Sequence, residues 1–128
     1  MKTVVICGSR RYKTEVRQFA QELKKHGVIV FEPIMNTNPK INHLDEDLKT
    51  YAFLGLTWHH LEFIRKADVV FIYNQDGYMG NSTTLELGAA AALVKPIFAL
   101  EPDPQEATRN VLIDEIIGTA DELIKRLK

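Results

Sequence analysis

Short β-branched or apolar runs alternate along this chain with segments of helical period. Thr3 to Cys7 is such a run, and it ends at Gly8-Ser9, a typical strand exit. Over residues 13–26, Val16, Phe19, Ala20 and Leu23 fall on one helical face, and Gly27 stands where a C-terminal cap belongs. Val28 to Phe31 reads as a second strand. Pro33 to His43, with two prolines and three asparagines, reads as a loop, either a flap over a site or plain surface. Residues 44–66 read as one long helix or as two broken near Gly55. Asp68 to Tyr73 is apolar on both faces, which predicts a central strand of a parallel sheet. Thr83 to Val94 follows as a helix, Pro96 to Leu100 as a strand, and Pro102 to Ile113 as loop plus helix. Ile116 to Gly118 reads as a short fifth strand. Thr119 then caps a last helix, with Glu122 three residues on, the spacing of a capping box.

This alternation predicts one α/β domain over residues 1–128: a doubly wound, Rossmann-like parallel sheet of five strands in a three-layer sandwich, with right-handed crossovers. No internal repeat or low-complexity linker divides it. Ligands of such sheets bind beyond the carboxyl ends of the strands. Two loops of small or polar residues, Gly8–Lys13 and Asn74–Ser82, fall at that edge, so they are expected to face one crevice.

Composition narrows the partners. The chain is 45% hydrophobic and 26% charged, which argues against disorder. Its formal net charge of −1 argues against binding a nucleic acid polymer or an anionic membrane over the whole surface. Lys2, Arg10, Arg11, Lys13, Arg17, Lys24 and Lys25 nevertheless outnumber Glu15 and Glu22 over residues 1–26, enough for a local mouth that accepts a small anion. The longest apolar run, Leu87 to Val94, is too short to span a bilayer, and the N-terminus does not read as a secretory signal. A single cysteine, Cys7, excludes an intramolecular disulfide and fits a reducing cytoplasm; in its apolar strand it reads as a small hydrophobe.

The candidate chemistry sits on the two loops. Thr83-Thr-Leu-Glu86 has capping-box spacing, and one reading makes Glu86 a purely structural partner of its helix terminus. The other makes it a carboxylate in the first helical turn, facing small residues and desolvated by a largely buried helix, from where it can attack the anomeric carbon of a sugar. Gly8-Ser9-Arg10 can approach and bind a phosphate through charge-assisted hydrogen bonds, or be a solvated turn. Asp76 and Tyr78, with Asn81 and Ser82 further along the same loop, are candidate contacts to a base or a ribose hydroxyl. His59 and His60 point in different directions on a helix, and no third ligand stands at clear spacing, so no metal or other cofactor is expected. Trp58 reads as core or interface, and Asp68 as a cap to its own loop.

Ala67-Asp-Val-Val, the small-residue loop, Thr83-x-x-Glu86-x-Gly88-x-Ala90 and Lys95-Pro96 together resemble the nucleoside 2-deoxyribosyltransferase superfamily, which includes 2′-deoxynucleoside 5′-monophosphate N-glycosidases. The opening Cys7-Gly-Ser-x-Arg resembles the glycosidase branch, in which this loop contacts the 5′-phosphate. The resemblance runs from the first strand to Asn110-Val-Leu-Ile113. It implies a flavodoxin-like sheet, a nucleophile at Glu86, and cleavage between deoxyribose C1′ and the base. It also implies homodimers or larger homo-oligomers with shared active sites, in which Asn110 matches the polar residue lent by a neighbour. Two positions depart from the family pattern. His60 stands where an aspartate is usual near the base or sugar, and it can serve as a proton donor. Gly80 stands where transferases commonly carry an acidic residue, which favours hydrolysis over base exchange.

The expectation is therefore a cytoplasmic enzyme acting on the N-glycosidic bond of a (deoxy)nucleoside or its 5′-monophosphate. A non-catalytic nucleotide sensor and a ribonucleotide phosphoribohydrolase are the alternatives.

Overall fold

In the computed structural model, which describes residues 1–35 and 39–128, five parallel strands form one sheet. They are β1 (Val4–Gly8), β2 (Val30–Phe31), β3 (Val69–Tyr73), β4 (Ile97–Ala99) and β5 (Glu115–Ile116), in the order β2-β1-β3-β4-β5. The helices are α1 (Lys13–Lys25), α2 (Glu46–Lys66), α3 (Asn81–Ala92), the short α4 (Ala107–Asn110) and α5 (Ala120–Leu127). The fold is the flavodoxin-like three-layer sandwich.

Pleating divides the core in two. Val4 and Ile6 of β1 and Val69 and Phe71 of β3 pack on Val16, Ala20 and Leu23 of α1 and on Leu123 and Leu127 of α5. On the opposite face Val5, Cys7, Val70 and Ile72 pack on Ile64 of α2 and on Leu87 and Ala90 of α3. Every residue of β3 is buried, as its unbroken apolar run requires of the middle strand. Register pairs Cys7 with Ile72 and Gly8 with Tyr73, so β1 and β3 end side by side. Strand order reverses between them, and that is where such sheets open a crevice.

Local chemistry explains the ends of most elements. α1 closes in a Schellman motif, with the N–H of Val28 on the Leu23 carbonyl, that of Gly27 on Lys24, and Gly27 at φ 82°. Thr119 caps α5 by accepting from the Glu122 N–H at 3.2 Å. Asp68 accepts from the N–H and hydroxyl of Thr3, tying β1 to β3 at the edge away from the crevice.

Several expectations need correction. Of the two readings for residues 44–66, the single long helix is the one found, starting at Glu46 and unbroken at Gly55. β1 keeps its expected length but lies one residue later, β2 to β5 are shorter than the apolar runs suggest, and β5 lies one residue early, at Glu115–Ile116. Pro39–His43 is a 3-10 turn, while residues 36–38 of the expected loop lie outside the described residues. Trp58 is 64% exposed and takes no part in the core. The largest correction concerns α3, which begins at Asn81 with Gly80 as its N-cap. Thr83 is inside the helix and buried, so Thr83-x-x-Glu86 is not a capping box, and Glu86 lies in the second turn.

Candidate active site

A cleft of about 790 Å³ opens over the carboxyl ends of β1 and β3. Gly8, Ser9 and Arg10 leave β1 along one wall, while Gly80 to Thr83 and Glu86 of α3 form another. α2 contributes His60 and an apolar stretch of Phe53, Leu56 and Leu61, and Pro33 to Met35 close the side. Tyr78 completes the lining. The two loops expected to share a crevice do so.

One end suits an anion. Ser9 caps the 3-10 turn Arg10–Tyr12, its Oγ accepting the Arg11 N–H at 3.1 Å. Its hydroxyl proton remains to donate to a ligand. Arg10 adds a positive charge. Gly80 has no side chain with which to cap α3, so the first amides of that helix are left for solvent or ligand. The loops also hold each other. The Arg11 guanidinium lies 3.6 Å over the Tyr78 ring, Tyr12 meets Tyr78 edge-on, and the Tyr12 hydroxyl donates to Asp76 at 3.3 Å.

The other end is a buried polar cluster. His60 Nε2 lies 3.1 Å from Glu86 Oε2 and 3.4 Å from Cys7 Sγ. The Glu86 side chain is only 16% exposed. Sequence predicts this desolvation, although its source differs: α3 buries just Thr83, Leu87 and Ala90, with Leu85 exposed, so the shielding comes from α2 rather than from a buried helix. Burial pushes the Glu86 carboxyl up to about 8. Burial, with a smaller contribution from the charge of His59, pushes His60 down to about 4. Both shifts act against the charged forms, so burial favours a proton on the Glu86 carboxyl, within donating distance of Nε2. The Cys7 thiol is raised well above its usual range, by burial first and then by Glu86. The three residues do not make a cysteine-hydrolase triad. That arrangement needs the acid on the ring nitrogen opposite the thiol, whereas both groups here face Nε2 and the buried Nδ1 has no partner among the described residues.

Of the residues expected from sequence, Gly8, Ser9, Arg10, His60, Tyr78, Asn81, Ser82 and Glu86 come together around the cleft. Asp76 stands outside it, at φ 59° in the turn after β3, where its N–H donates to Glu101. Asn110 is also outside its own chain's cleft. Its carboxamide accepts from the Asp103 N–H and donates to the Asp103 carbonyl. Sequence reasoning missed the apolar lining from α2 and the contact of Cys7 with His60. Phe53, Leu56, His60 and Leu61 do share an i, i+3, i+7, i+8 stripe that could have shown the first; nothing local signals the second.

A flavodoxin-like sheet with a buried carboxylate at its switch-point crevice defines a class of small-molecule binding domains. The family model for nucleoside 2-deoxyribosyltransferase matches residues 6–123, and the chain belongs to that family. Among solved structures it is similar to a 2-deoxyribosyltransferase from Bacillus psychrosaccharolyticus, at 22% identity and TM-score 0.67 over 95% of this chain and 90% of that one. It is also similar to a conserved protein from Enterococcus faecalis V583, at 15% identity and TM-score 0.59 over 99% and 97%. A CMP N-glycosidase from Clostridium botulinum aligns at 15% identity and TM-score 0.56 over 98% and 97%. These likenesses are of fold. No curated protein matches the chain. Among the described residues no helix is long and apolar enough to cross a membrane.

Proposed function

We propose that this chain cleaves the N-glycosidic bond of a nucleoside 5′-monophosphate, with Glu86 as nucleophile and His60 as the group that handles the proton. The observation that carries the reading is the Glu86–His60 contact of 3.1 Å on the floor of a cleft whose rim carries Ser9, Arg10 and the start of α3. Family membership and the solved relatives support N-glycosidic chemistry, one of them being named a CMP N-glycosidase and another a 2-deoxyribosyltransferase.

In the reaction Glu86 attacks C1′ as the C1′–N bond breaks, passing its proton to His60 Nε2. The departing base takes the bonding electrons and receives a proton from His60, and water then hydrolyses the glycosyl ester. Ser9, Arg10 and the amides of Asn81 and Ser82 hold the 5′-phosphate, and Tyr78 packs on the nucleoside. That phosphate end favours hydrolysis of a monophosphate over base exchange between nucleosides.

We extend the reading to a homo-oligomer in the cytoplasm. Leu48, Tyr51, Leu54 and Trp58 form an exposed apolar face of α2 that suits a second copy. Asn110 would be lent to the neighbour's cleft once released from Asp103. If so, mixing the inactive variants Glu86→Gln and Asn110→Ala restores part of the activity.

The deciding assay offers purified protein a panel of ribo- and deoxyribonucleoside monophosphates and follows free base by chromatography. Release by the wild type and none by Glu86→Gln is expected. Binding without release from any of them would make the chain a sensor, and preference for the 2′-hydroxyl would make it a ribonucleotide hydrolase.

A further inference from the structure

Three elements bring one metal-ligating atom each to a single point: Cys7 Sγ from β1, His60 Nε2 from α2 and a Glu86 oxygen from α3. All three atoms lie within 4.8 Å of one another, with 3.4 Å between sulfur and nitrogen and 3.1 Å between nitrogen and oxygen. Ligands at ordinary zinc bond lengths, about 2.3 Å to sulfur and about 2.0 Å to nitrogen or oxygen, are spaced by about 3.3–3.6 Å when tetrahedral. The sulfur–nitrogen and nitrogen–oxygen separations lie within a few tenths of an ångström of that spacing. A thiol, an imidazole and one carboxylate form a borderline-soft donor set suited to Zn²⁺ and poorly suited to Mg²⁺ or Ca²⁺. His60 and Glu86 line the cleft while Cys7 lies behind them, so an ion entering from the cleft meets all three and keeps its fourth position open to water.

We infer that Cys7, His60 and Glu86 form a Zn²⁺ site, and that its occupancy shuts off the chemistry of this cleft by taking Glu86 as a ligand. The inhibitory half rests on Glu86 being the nucleophile proposed above; the binding half does not. A resident metal's histidine normally donates its second ring N–H to an acceptor. His60 Nδ1 is buried without one among the described residues. The site is accordingly built for reversible occupancy rather than for a permanent structural ion.

The test is a Co²⁺ titration of chelator-treated protein followed by absorption spectroscopy, which reads the metal whether or not the protein is an enzyme. Wild type should gain a near-ultraviolet thiolate-to-cobalt band saturating at one ion per chain, displaced by Zn²⁺ and abolished by EDTA. Cys7→Ser should lose the band, and Glu86→Gln, which leaves the thiol and the core intact, should weaken binding by more than about tenfold. Circular dichroism establishes that each variant is folded. A second cluster at the surface, Glu22, His26 and Asp121, has no sulfur and serves as the internal control, since ions held there give no such band. Absence of the band in wild type, or its persistence in Cys7→Ser, would overturn the site. A band with Zn²⁺-insensitive base release would keep the site and overturn Glu86 as nucleophile.

Discussion

His60 Nε2 and Glu86 Oε2 lie 3.1 Å apart, and burial makes both groups reluctant to ionise. Neither residue would have this property alone in water, where one would be a carboxylate and the other half-protonated near neutral pH. In the proposed mechanism Glu86 must pass its proton to His60 as it attacks, and the contact between them provides the path for that transfer.

The pair gives the pH profile a definite shape. With two coupled groups, the active form is the one that keeps one proton. Base release measured as kcat/KM on chelator-treated protein should be level through neutral pH, fall as pH rises through about 8, and fall again only near 4. His60→Asn should be slower by about 10²–10⁴-fold and lose the alkaline limb. A rate that climbs steadily past pH 8 would show that Glu86 needs only to be ionised and that His60 carries no proton to the base.

Stability should follow the same groups with a sign that can be worked out. Between about 6.5 and 8 the unfolded chain has neutral His60 and ionised Glu86, while the folded chain keeps the carboxyl protonated. The native state then binds one proton more, so stability falls as pH rises, by about 1.4 kcal/mol per unit and roughly 2 kcal/mol in all. From about 4.5 to 6.5 the two states bind equal numbers of protons at this pair, and its contribution is level. Glu86→Gln removes the alkaline decline. Its melting temperature should therefore gain on wild type steadily from pH 6.5 to 8.5, and a constant difference over that range would contradict the buried, protonated carboxyl.

Arg10 offers a test of the proposed phosphate end that leaves the Glu86–His60 pair untouched. It is exposed at the cleft rim, and a charge-assisted hydrogen bond to a phosphate contributes about 1.5–3 kcal/mol. Arg10→Ala should lower kcat/KM for a monophosphate by about 10- to 100-fold and leave the corresponding nucleoside nearly unaffected. Equal losses on both substrates would place Arg10 in folding or nucleoside contact instead.

Which features were legible in the sequence follows from how local their causes are. The all-apolar run of β3, the face of α1 with Gly27 behind it and the Thr119–Glu122 cap are set by residues within one or two turns, and each is found as the pattern indicates. The start of α3 is not legible in the sequence because Thr83-x-x-Glu86 has the spacing of a cap, while the true N-cap, Gly80, brings no side chain to reveal itself. The cleft's location follows from strand order alone. Its chemistry does not, since Cys7 and His60 are 53 residues apart and meet only when α2 folds back on β1. Lys95, part of the family pattern, has a role that sequence could not show: its ammonium donates at 2.8 Å to the Arg65 and Ala67 carbonyls and closes the end of α2.

The end of α3 gives a prediction independent of function. The Val94 N–H meets the Ala91 carbonyl and the Lys95 N–H that of Ala90, a Schellman motif that places Val94 at φ 56°. A β-branched residue is strained in that left-handed region by about 1–2 kcal/mol, and Val94 is 87% exposed, so its side chain recovers little by packing. Glycine carries no such penalty but brings a more flexible unfolded chain. Val94→Gly should therefore raise stability by about 1 kcal/mol in urea unfolding, with the m-value unchanged. Val94→Ala should gain much less, because any Cβ meets the same clash with the backbone. A glycine variant less stable than wild type would show that the strain at Val94 is smaller than the entropy glycine adds to the unfolded chain.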